Sequence, residues 1–504
     1  MINLSAFVRF HCSRTPEAVA VIYDGRSITW ADLYDRVRRT AALLAGRGIG
    51  PDDVVAVCMK NSAAFIDLTI AASYLGAVFL PINYRLAADE VAYVVDNAGA
   101  GLLLVDDELA NLAGDFDPVI LLDAAARADP RSLAGNVSAV PPEHVRAAGD
   151  LLRLMYTSGT TAHPKGVTIS YDNFYWKSLD HVMALGLTAA DRLLVVGPLY
   201  HCGALDLPGL AVLWMGGTLC IHREFEAEAA LASIEEQRLT GGWMAPTMTN
   251  GVLNLDGNDR YDLSSLKWII GGGERTPEQR IRQFTEVFAN ARYIDAYGLT
   301  ESVSGDTFME AGREIEKIGS TGRALAHVQV AIFDDDGERL PAGREGEIVL
   351  RGPKITKGYW RDPENTAASF HGEWLRTGDV GYLDDDDFLY LTDRKKDMIL
   401  SGGENIASSE VERVIYDLPQ VLEAAVIGVP DETWGERPVA VVVPHPGQSL
   451  SASELEAHCR KHLAGFKVPK ELHIREVLPR NPSGKVLKRT LRAELQTKAK
   501  SDDV

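Results

Sequence analysis

The sequence predicts an α/β protein. It has a large N-terminal domain of βαβ-type sheets covered by helices, a small β subdomain, and a small α+β C-terminal domain. Three observations carry this. Short β-branched or leucine-rich runs alternate with helical patterns from residue 54 to residue 296, which implies parallel sheets flanked by helices. Residues 328–391 are turn-rich with short alternating strands, the mark of antiparallel β structure. Beyond the charged pentad at 393–397 the pattern becomes a compact α+β unit, which places a boundary there: 1–392 and 393–504.

In order, 54–58 reads as a buried strand, a helix starts at Ala63, 78–80 and 102–105 are strands, and 88–97 is a helix between them. The stretch 63–80 is the most apolar of the chain, yet Asp67 interrupts it and Gly76 and Pro81 punctuate it. It is therefore a buried helix and strand, not a membrane span. The alternation resumes with strand 151–155, β-type run 167–169, helix 173–185, strand 193–196, a helix before Gly216 and strand 218–221. Strand 266–270, helix 277–288 and strand 293–296 repeat it once more. The acidic runs at 334–337 and 384–387 read as solvated hairpin turns rather than metal sites. The C-terminal unit offers helices 409–416 and 453–462, strands 424–429 and 439–443, and a basic tail.

At 504 residues the chain exceeds one core, and a multidomain enzyme is the default. A formal charge of −20 argues against nucleic acid or an anionic membrane as partner, since both need a broad basic surface. Any polyanionic ligand must meet local basic groups. Five scattered cysteines without CxxC spacing suggest neither disulfides nor zinc and fit a reducing cytoplasm. Residues 1–17 lack a continuous apolar region, so no secretory signal is expected.

The chemistry concentrates in one run, Thr157, Ser158, Gly159, Thr160, Thr161, Ala162, His163, Pro164, Lys165, Gly166. Glycines let backbone N–H groups approach phosphate oxygens, hydroxyls add donors and a lysine adds charge: a polyphosphate cradle. It is not a Walker A loop, because Lys165 precedes a glycine and a β-type run instead of opening a helix. Four further groups follow: Gly271-Gly272-Gly273-Glu274 and Asp295-Ala296-Tyr297-Gly298-Leu299-Thr300-Glu301 at two strand ends, Asp379 after Thr377-Gly378, and Lys485 in Asn481-Pro482-Ser483-Gly484-Lys485. Ligands of doubly wound sheets sit at carboxyl ends of strands, so the first two groups should converge. Each has a plain alternative: a strand-end turn, a core aromatic at Tyr297, a turn cap at Asp379, a solvated charge at Lys485.

In this order and spacing the groups resemble the AMP-forming acyl-CoA synthetases of the adenylate-forming, luciferase-like (ANL) superfamily, over almost the whole chain. The segments 76–83, Pro198-Leu199-Tyr200-His201 and 395–406 look like this family too. The resemblance implies a mobile C-terminal domain hinged at Asp393 and two half-reactions. A carboxylate and ATP give acyl-adenylate and pyrophosphate; coenzyme A then displaces AMP. It implies that Thr157, Ser158, Gly159, Thr160, Thr161 and Lys165 hold the phosphates, that Thr300 and Glu301 organise Mg²⁺, and that Lys485 bridges the substrate carboxylate and the α-phosphate. Gly272, Gly273, Glu274, Ala296, Tyr297 and Gly298 match the adenine walls, and Asp379 and Arg394 the ribose ligands.

His201, Trp243, Gly271 and Ser302 match the acyl pocket, His201 as its gate. Ser401, Gly402, Gly403 and Glu404 match the thiolation loop, with Arg437 a candidate for coenzyme A phosphates. By the family's layout the pocket segments contain no lysine or arginine, so the expected acid is a bulky apolar or medium- to long-chain monoacid, with amino acids and dicarboxylic acids disfavoured. The chain departs from the family at Ala162, where glycine is usual, which bears on how the loop closes on ATP. Two rival readings stand beside the ligase: an enzyme loading an acyl carrier protein, and a non-catalytic acyl-adenylate or nucleotide-binding homologue. The expected setting is cytoplasmic, with no nucleic acid partner or integral membrane segment, and is compatible with a homodimer.

Overall fold

A computed structural model describes residues 2–133, 139–157, 164–272, 278–394, 397–401, 404–431, 434–480 and 486–502. Among the described residues, two large sheets organise the N-terminal part. The first has the order Val119–Leu122, Ala100–Asp106, Val54–Cys58, Val78–Ile82, Leu151–Thr157, Lys165–Ser170, parallel except for the last pair. Val54–Cys58 is buried at every position, as expected of a central parallel strand covered on both faces. Helix Ala63–Leu75 is also buried throughout and ends at Gly76 with φ +72°. Its Asp67 is answered by Arg36 at 2.5 Å, so the charge that interrupts the apolar stretch lies paired inside a globular core.

The second sheet is the one that positions the site. Its parallel core runs Arg292–Tyr297, Trp268–Gly272, Gly241–Met244, Arg192–Val195, Thr218–Ile221, Val19–Tyr23. From Arg192–Val195 the chain first adds a strand on one side, Thr218–Ile221, and then crosses to the other for Gly241–Met244. That reversal is a topological switch point, where the carboxyl ends of adjacent strands diverge and leave a crevice for a ligand. The expected strands and helices of this region are present. The pairing of Val19–Tyr23 with Thr218–Ile221 and the strand Gly241–Met244 were not foreseen.

A third sheet collects Gln329–Phe333, Gly346–Arg351, Trp374–Leu383, Phe370–His371 and Leu389–Arg394, with Trp374–Leu383 antiparallel to both of the last two, in keeping with the turn-rich pattern. Both acidic runs are turns: Asp334 Oδ1 accepts from the N–H groups of Asp336 and Glu338, and Asp384 Oδ1 from those of Asp386 and Phe388. The C-terminal sheet has the order Glu404–Ile406, Ile399–Ser401, Gly435–Pro444, Val421–Asp431, with Leu472–Ile474 beside Gly435–Pro444. Val426 and Ala440 face Val411 of helix Ser408–Tyr416 and Leu455 of helix Ala452–His462. Ile427 and Val439 face Leu491 of helix Lys488–Asp502. The two central strands are therefore apolar on both faces, the period-2 alternation erased by a helix layer on each side.

By packing, the chain forms two compact units: Met1–Thr276 with Ile281–Gln329 and Leu350–Leu375, and Pro277–Arg280 with Val330–Val349 and Arg376–Val504. As a packing division the second begins before the boundary expected at 392/393.

Candidate active site

In the first unit the cradle is flanked by two strands. Strands Leu151–Thr157 and Lys165–Ser170 pair antiparallel, with Thr157 opposite Lys165. Ser158, Gly159, Thr160, Thr161 and Ala162 lie outside the described residues. Lys165 Nζ donates to Asn365 Oδ1 at 2.8 Å and stands 5.0 Å from the Tyr359 ring. Tyr359 in turn donates its hydroxyl to Glu301 Oε1 at 3.0 Å, and the N–H of Thr356 donates to the Glu301 carbonyl at 2.7 Å. Burial, and after it the Glu301 carboxylate, push the Tyr359 phenol well above its ordinary pKa, so it remains a proton donor to Glu301. A cation from the cradle and a carboxylate from a distant turn thus meet through one aromatic ring. Asn365 is itself fixed by Asp362, whose carboxylate accepts from its backbone N–H and its side-chain amide.

The strand-end groups converge as expected. Gly271 and Gly272 lie in register with Asp295 and Ala296 on adjacent parallel strands. A side chain at Gly271 would have its Cβ 1.7 Å from the Tyr293 hydroxyl, so only glycine fits. Tyr297 is buried, and Gly298 follows it with the backbone of Gly305 packed against its Cα. Gly273 and Glu274 lie outside the described residues. Thr300 and Glu301 sit on the 3₁₀ turn Thr300–Ser302, and the Thr300 hydroxyl is 3.8 Å from Cys202 Sγ. Ser302 is wholly buried, its hydroxyl bonded to Asp306 Oδ2 and to the Leu299 carbonyl. Burial raises the Cys202 thiol to about 11, so it is no nucleophile at neutral pH.

At the switch point, His201 follows strand Arg192–Val195, Trp243 lies on the neighbouring strand and Gly271 is next to last on the one after it. The His201 and Trp243 rings stack with centroids 6.0 Å apart, 25° between planes. His201 Nδ1 accepts from the Gly203 N–H at 3.0 Å, which fixes the ring. The indole of Trp243 lies against two bare backbones: a Cβ at Gly197 would be 2.4 Å from it and one at Gly203 2.8 Å.

In the second unit Asp379 is buried and lies directly opposite Arg394 on paired strands, with Val380 opposite the hinge candidate Asp393 and a bulge between Val380 and Gly381. Ser401 is buried at the end of Ile399–Ser401 and pairs with Glu404. Arg437 is occupied by Glu471 at 2.7 Å and by Asp431 at 3.7 Å. Gly402, Gly403 and Lys485 lie outside the described residues, as do the side chains of Asp393, Arg394 and Glu404. Sequence reasoning missed Tyr359 and Asn365, and the buried pair Lys354–Asp306 at 3.0 Å. Nothing local marks them, because each acts through a partner far along the chain.

Residues 8–360 match the AMP-binding enzyme family and residues 410–485 the AMP-binding enzyme C-terminal domain. A feruloyl-CoA synthase of Amycolatopsis sp is 37% identical over 95% of this chain and 96% of its own length. The long-chain-fatty-acid–CoA ligase FadD13 of Mycobacterium tuberculosis is 36% identical over 98% and 99%. The o-succinylbenzoate CoA synthetase MenE of Bacillus subtilis superposes with a TM-score of 0.88 in complex with the acyl-adenylate OSB-AMP, at 31% identity over 96% of this chain and 97% of that one. The same enzyme with ATP and a magnesium ion gives 0.85, at 31% identity over 96% and 98%.

Fold, site and these matches together define an AMP-forming acid–thiol ligase. The chain belongs to the AMP-binding enzyme family, within the adenylate-forming superfamily. It is an ATP-dependent acyl-CoA ligase, forming an acyl-adenylate and then the coenzyme A thioester.

Proposed function

We propose that this ligase activates a bulky apolar monocarboxylic acid, an aryl or a medium- to long-chain fatty acid. The observation that carries the reading is the Trp243 indole stacked on His201 and lying over Gly197 and Gly203 at the switch point. Such a wall is flat, neutral and made for apolar contact. Three buried cations already stand in ion pairs, Lys354 with Asp306, and Arg153 and Lys177 with the single carboxylate of Asp206. A second substrate carboxylate buried without a partner of its own would cost several kcal/mol, about that of a broken buried ion pair. Two of the relatives by name, a feruloyl-CoA synthase and a long-chain-fatty-acid ligase, lie at the two ends of this class, while the o-succinylbenzoate of MenE carries a second carboxylate and lies outside it.

Within the reaction, Thr157 and Lys165 hold phosphate oxygens, with Ser158 to Thr161 completing the cradle. The Glu301 carboxylate and Thr300 hydroxyl are hard oxygen donors and fit Mg²⁺, which when bound offsets phosphate charge. Among the described residues no cluster of three or more His, Cys, Asp or Glu side chains could hold a metal ion. Lys485 bridges the carboxylate and α-phosphate in the first step. Rotation at Asp393 then brings Ser401 to Glu404 over the site for the second. Asp379 and Arg394, register partners, take the ribose hydroxyls. All five cysteines are free, which supports a reducing, cytoplasmic setting. Among the described residues no helix is long and apolar enough to cross a membrane.

The test is a panel of acetate, malonate, phenylalanine, octanoate, palmitate, cinnamate, ferulate and a steroid acid, read by pyrophosphate release with and without coenzyme A. Preference for the apolar acids with coenzyme A-dependent turnover is expected. Preference for acetate or malonate overturns the pocket reading, and turnover only with a holo-carrier protein overturns the acceptor.

A further inference from the structure

The turn that carries Thr300 and Glu301 closes in a conformation that two of its residues disfavour. Val303, Ser304 and Gly305 stand consecutively at φ +59°, +69° and +68°. Glycine accepts the left-handed region freely. An L side chain there crowds its own carbonyl, and a β-branched valine is worst. Such backbone persists only where surroundings over-determine it.

Here one side chain reaches every residue from 304 to 306. Lys354 is wholly buried, and its ammonium reaches three consecutive residues: the Gly305 carbonyl at 2.6 Å, the Ser304 carbonyl at 3.3 Å and Asp306 Oδ1 at 3.0 Å. Two of the ammonium's donors find backbone carbonyls on this turn, and the Asp306 carboxylate lies beside it at ion-pair distance. The other Asp306 oxygen is bonded by Ser302 at the end of the Thr300–Ser302 turn. The N–H of Ser304 donates to the Leu299 carbonyl at 2.7 Å, closing the loop just ahead of Thr300. On its far side the turn has no slack, since a Cβ at Gly305 would lie 2.4 Å from His181 Nε2.

We propose that Lys354 is a positioning residue for adenylation: it fastens the left-handed turn 303–305 and thereby sets Thr300 and Glu301 relative to the Tyr359–Lys165 side of the phosphate hairpin. This rests on the reading that Thr300 and Glu301 serve Mg²⁺ and ATP. A lysine that merely neutralised Asp306 would affect stability alone.

The experiment uses the full chain with Lys354→Met. A second variant, Lys354→Met with Asp306→Asn, removes both charges so that no buried ion is left alone; circular dichroism and melting verify folding. Two readouts are taken: the thermal shift given by ATP with Mg²⁺ against ATP with chelator, and ATP–pyrophosphate exchange across Mg²⁺ concentrations. The Mg²⁺-dependent shift should be lost, and exchange should fall by roughly 10- to 100-fold, as an ångström-scale misplacement of catalytic groups does. Adding Ser304→Gly to Lys354→Met should recover about threefold or more, because glycine holds φ +69° without a clamp. Shift and Mg²⁺ dependence within about twofold of the parent overturn the proposal, as does a Ser304→Gly that recovers nothing. Glu301→Gln is the control: if it keeps the Mg²⁺-dependent shift, the Mg²⁺ reading itself fails. If it loses the shift while both Lys354 variants keep it, only the positioning role fails.

Discussion

The two sides of the site in the first unit are held by different forces. The wall of the crevice, Trp243 with His201, Gly197 and Gly203, is neutral and fixed by shape. The framework behind it, Arg153, Lys177 and Asp206 with Lys354 and Asp306, is charged, almost wholly buried and fixed by ion pairs. Shape complementarity degrades gradually when one side chain changes. A buried ion left without its partner fails abruptly. The wall can therefore vary with the acid, while the framework behind it keeps one geometry.

The contrast is broken most directly at Asp206, which carries the anionic end for both Arg153 and Lys177 and is fully buried. Asp206→Ala leaves two buried cations, and a loss of about 3–5 kcal/mol in urea denaturation is expected. A loss below about 1 kcal/mol would mean that water reaches the cluster and that the framework is no more rigid than the wall.

Titration sharpens the same point. Burial, opposed by Asp206 and Cys202 and reinforced by Arg153 and Lys354, lowers the Lys177 pKa to about 7. In the unfolded chain this lysine titrates near its ordinary value, about 10.4. Between those two values the unfolded state binds the extra proton, so stability rises with pH from about 7 upward, with a slope of at most about 1.4 kcal/mol per pH unit. The hydrogen bond from Lys177 Nζ to the Asp206 carbonyl, 2.8 Å, survives deprotonation because a neutral amine still donates. Urea midpoints at pH 6.5, 7.5 and 8.5 should climb in the parent and climb less in Lys177→Met. Parallel curves would show that Lys177 stays charged beside Asp206.

How far the sequence foretold this site follows the same division. Strands such as Val54–Cys58, and the β-run that follows the cradle, were legible because periodicity and turn residues are local. Strand Gly241–Met244 was not, because its glycines answer remote neighbours: a Cβ at Gly241 would lie 2.4 Å from the Trp268 indole. The charged framework was equally silent. Lys354 stands between Pro353 and Ile355 with no motif around it, and its meaning comes only from the turn at 303–306, which the fold brings to it. The helix that carries Asp67 was read correctly as buried, but the partner Arg36 lies on another helix and could not be named.

On the wall the expected effects are smaller. Gly197→Ala places a methyl 2.4 Å from the indole, a rigid ring that must tilt into the crevice. Overpacking of this kind costs about 1–3 kcal/mol, and turnover of the bulkiest acids should fall more than that of cinnamate. An unchanged substrate ranking would place the indole outside the acid's path.

Trp243→Phe should have the smallest effect on the fold and the most selective one on function. Phenylalanine keeps an aromatic face for His201, and the neighbouring register with Val195 and Ile270 is a backbone property that the substitution leaves intact. The stability change should stay under about 1.5 kcal/mol, since the swap is conservative in character and the crevice can absorb the volume. The space vacated by the second ring lies where the reading puts the acid, so kcat/KM for the longest or widest acid should rise about 3- to 10-fold relative to cinnamate, the scale of one or two methylenes in an apolar pocket. The ATP KM should not move, because the phosphate side is held by Lys165, Tyr359 and Glu301 and not by the wall. A variant that changed the ATP KM while leaving the acid ranking intact would reverse the assignment, making Trp243 part of the framework.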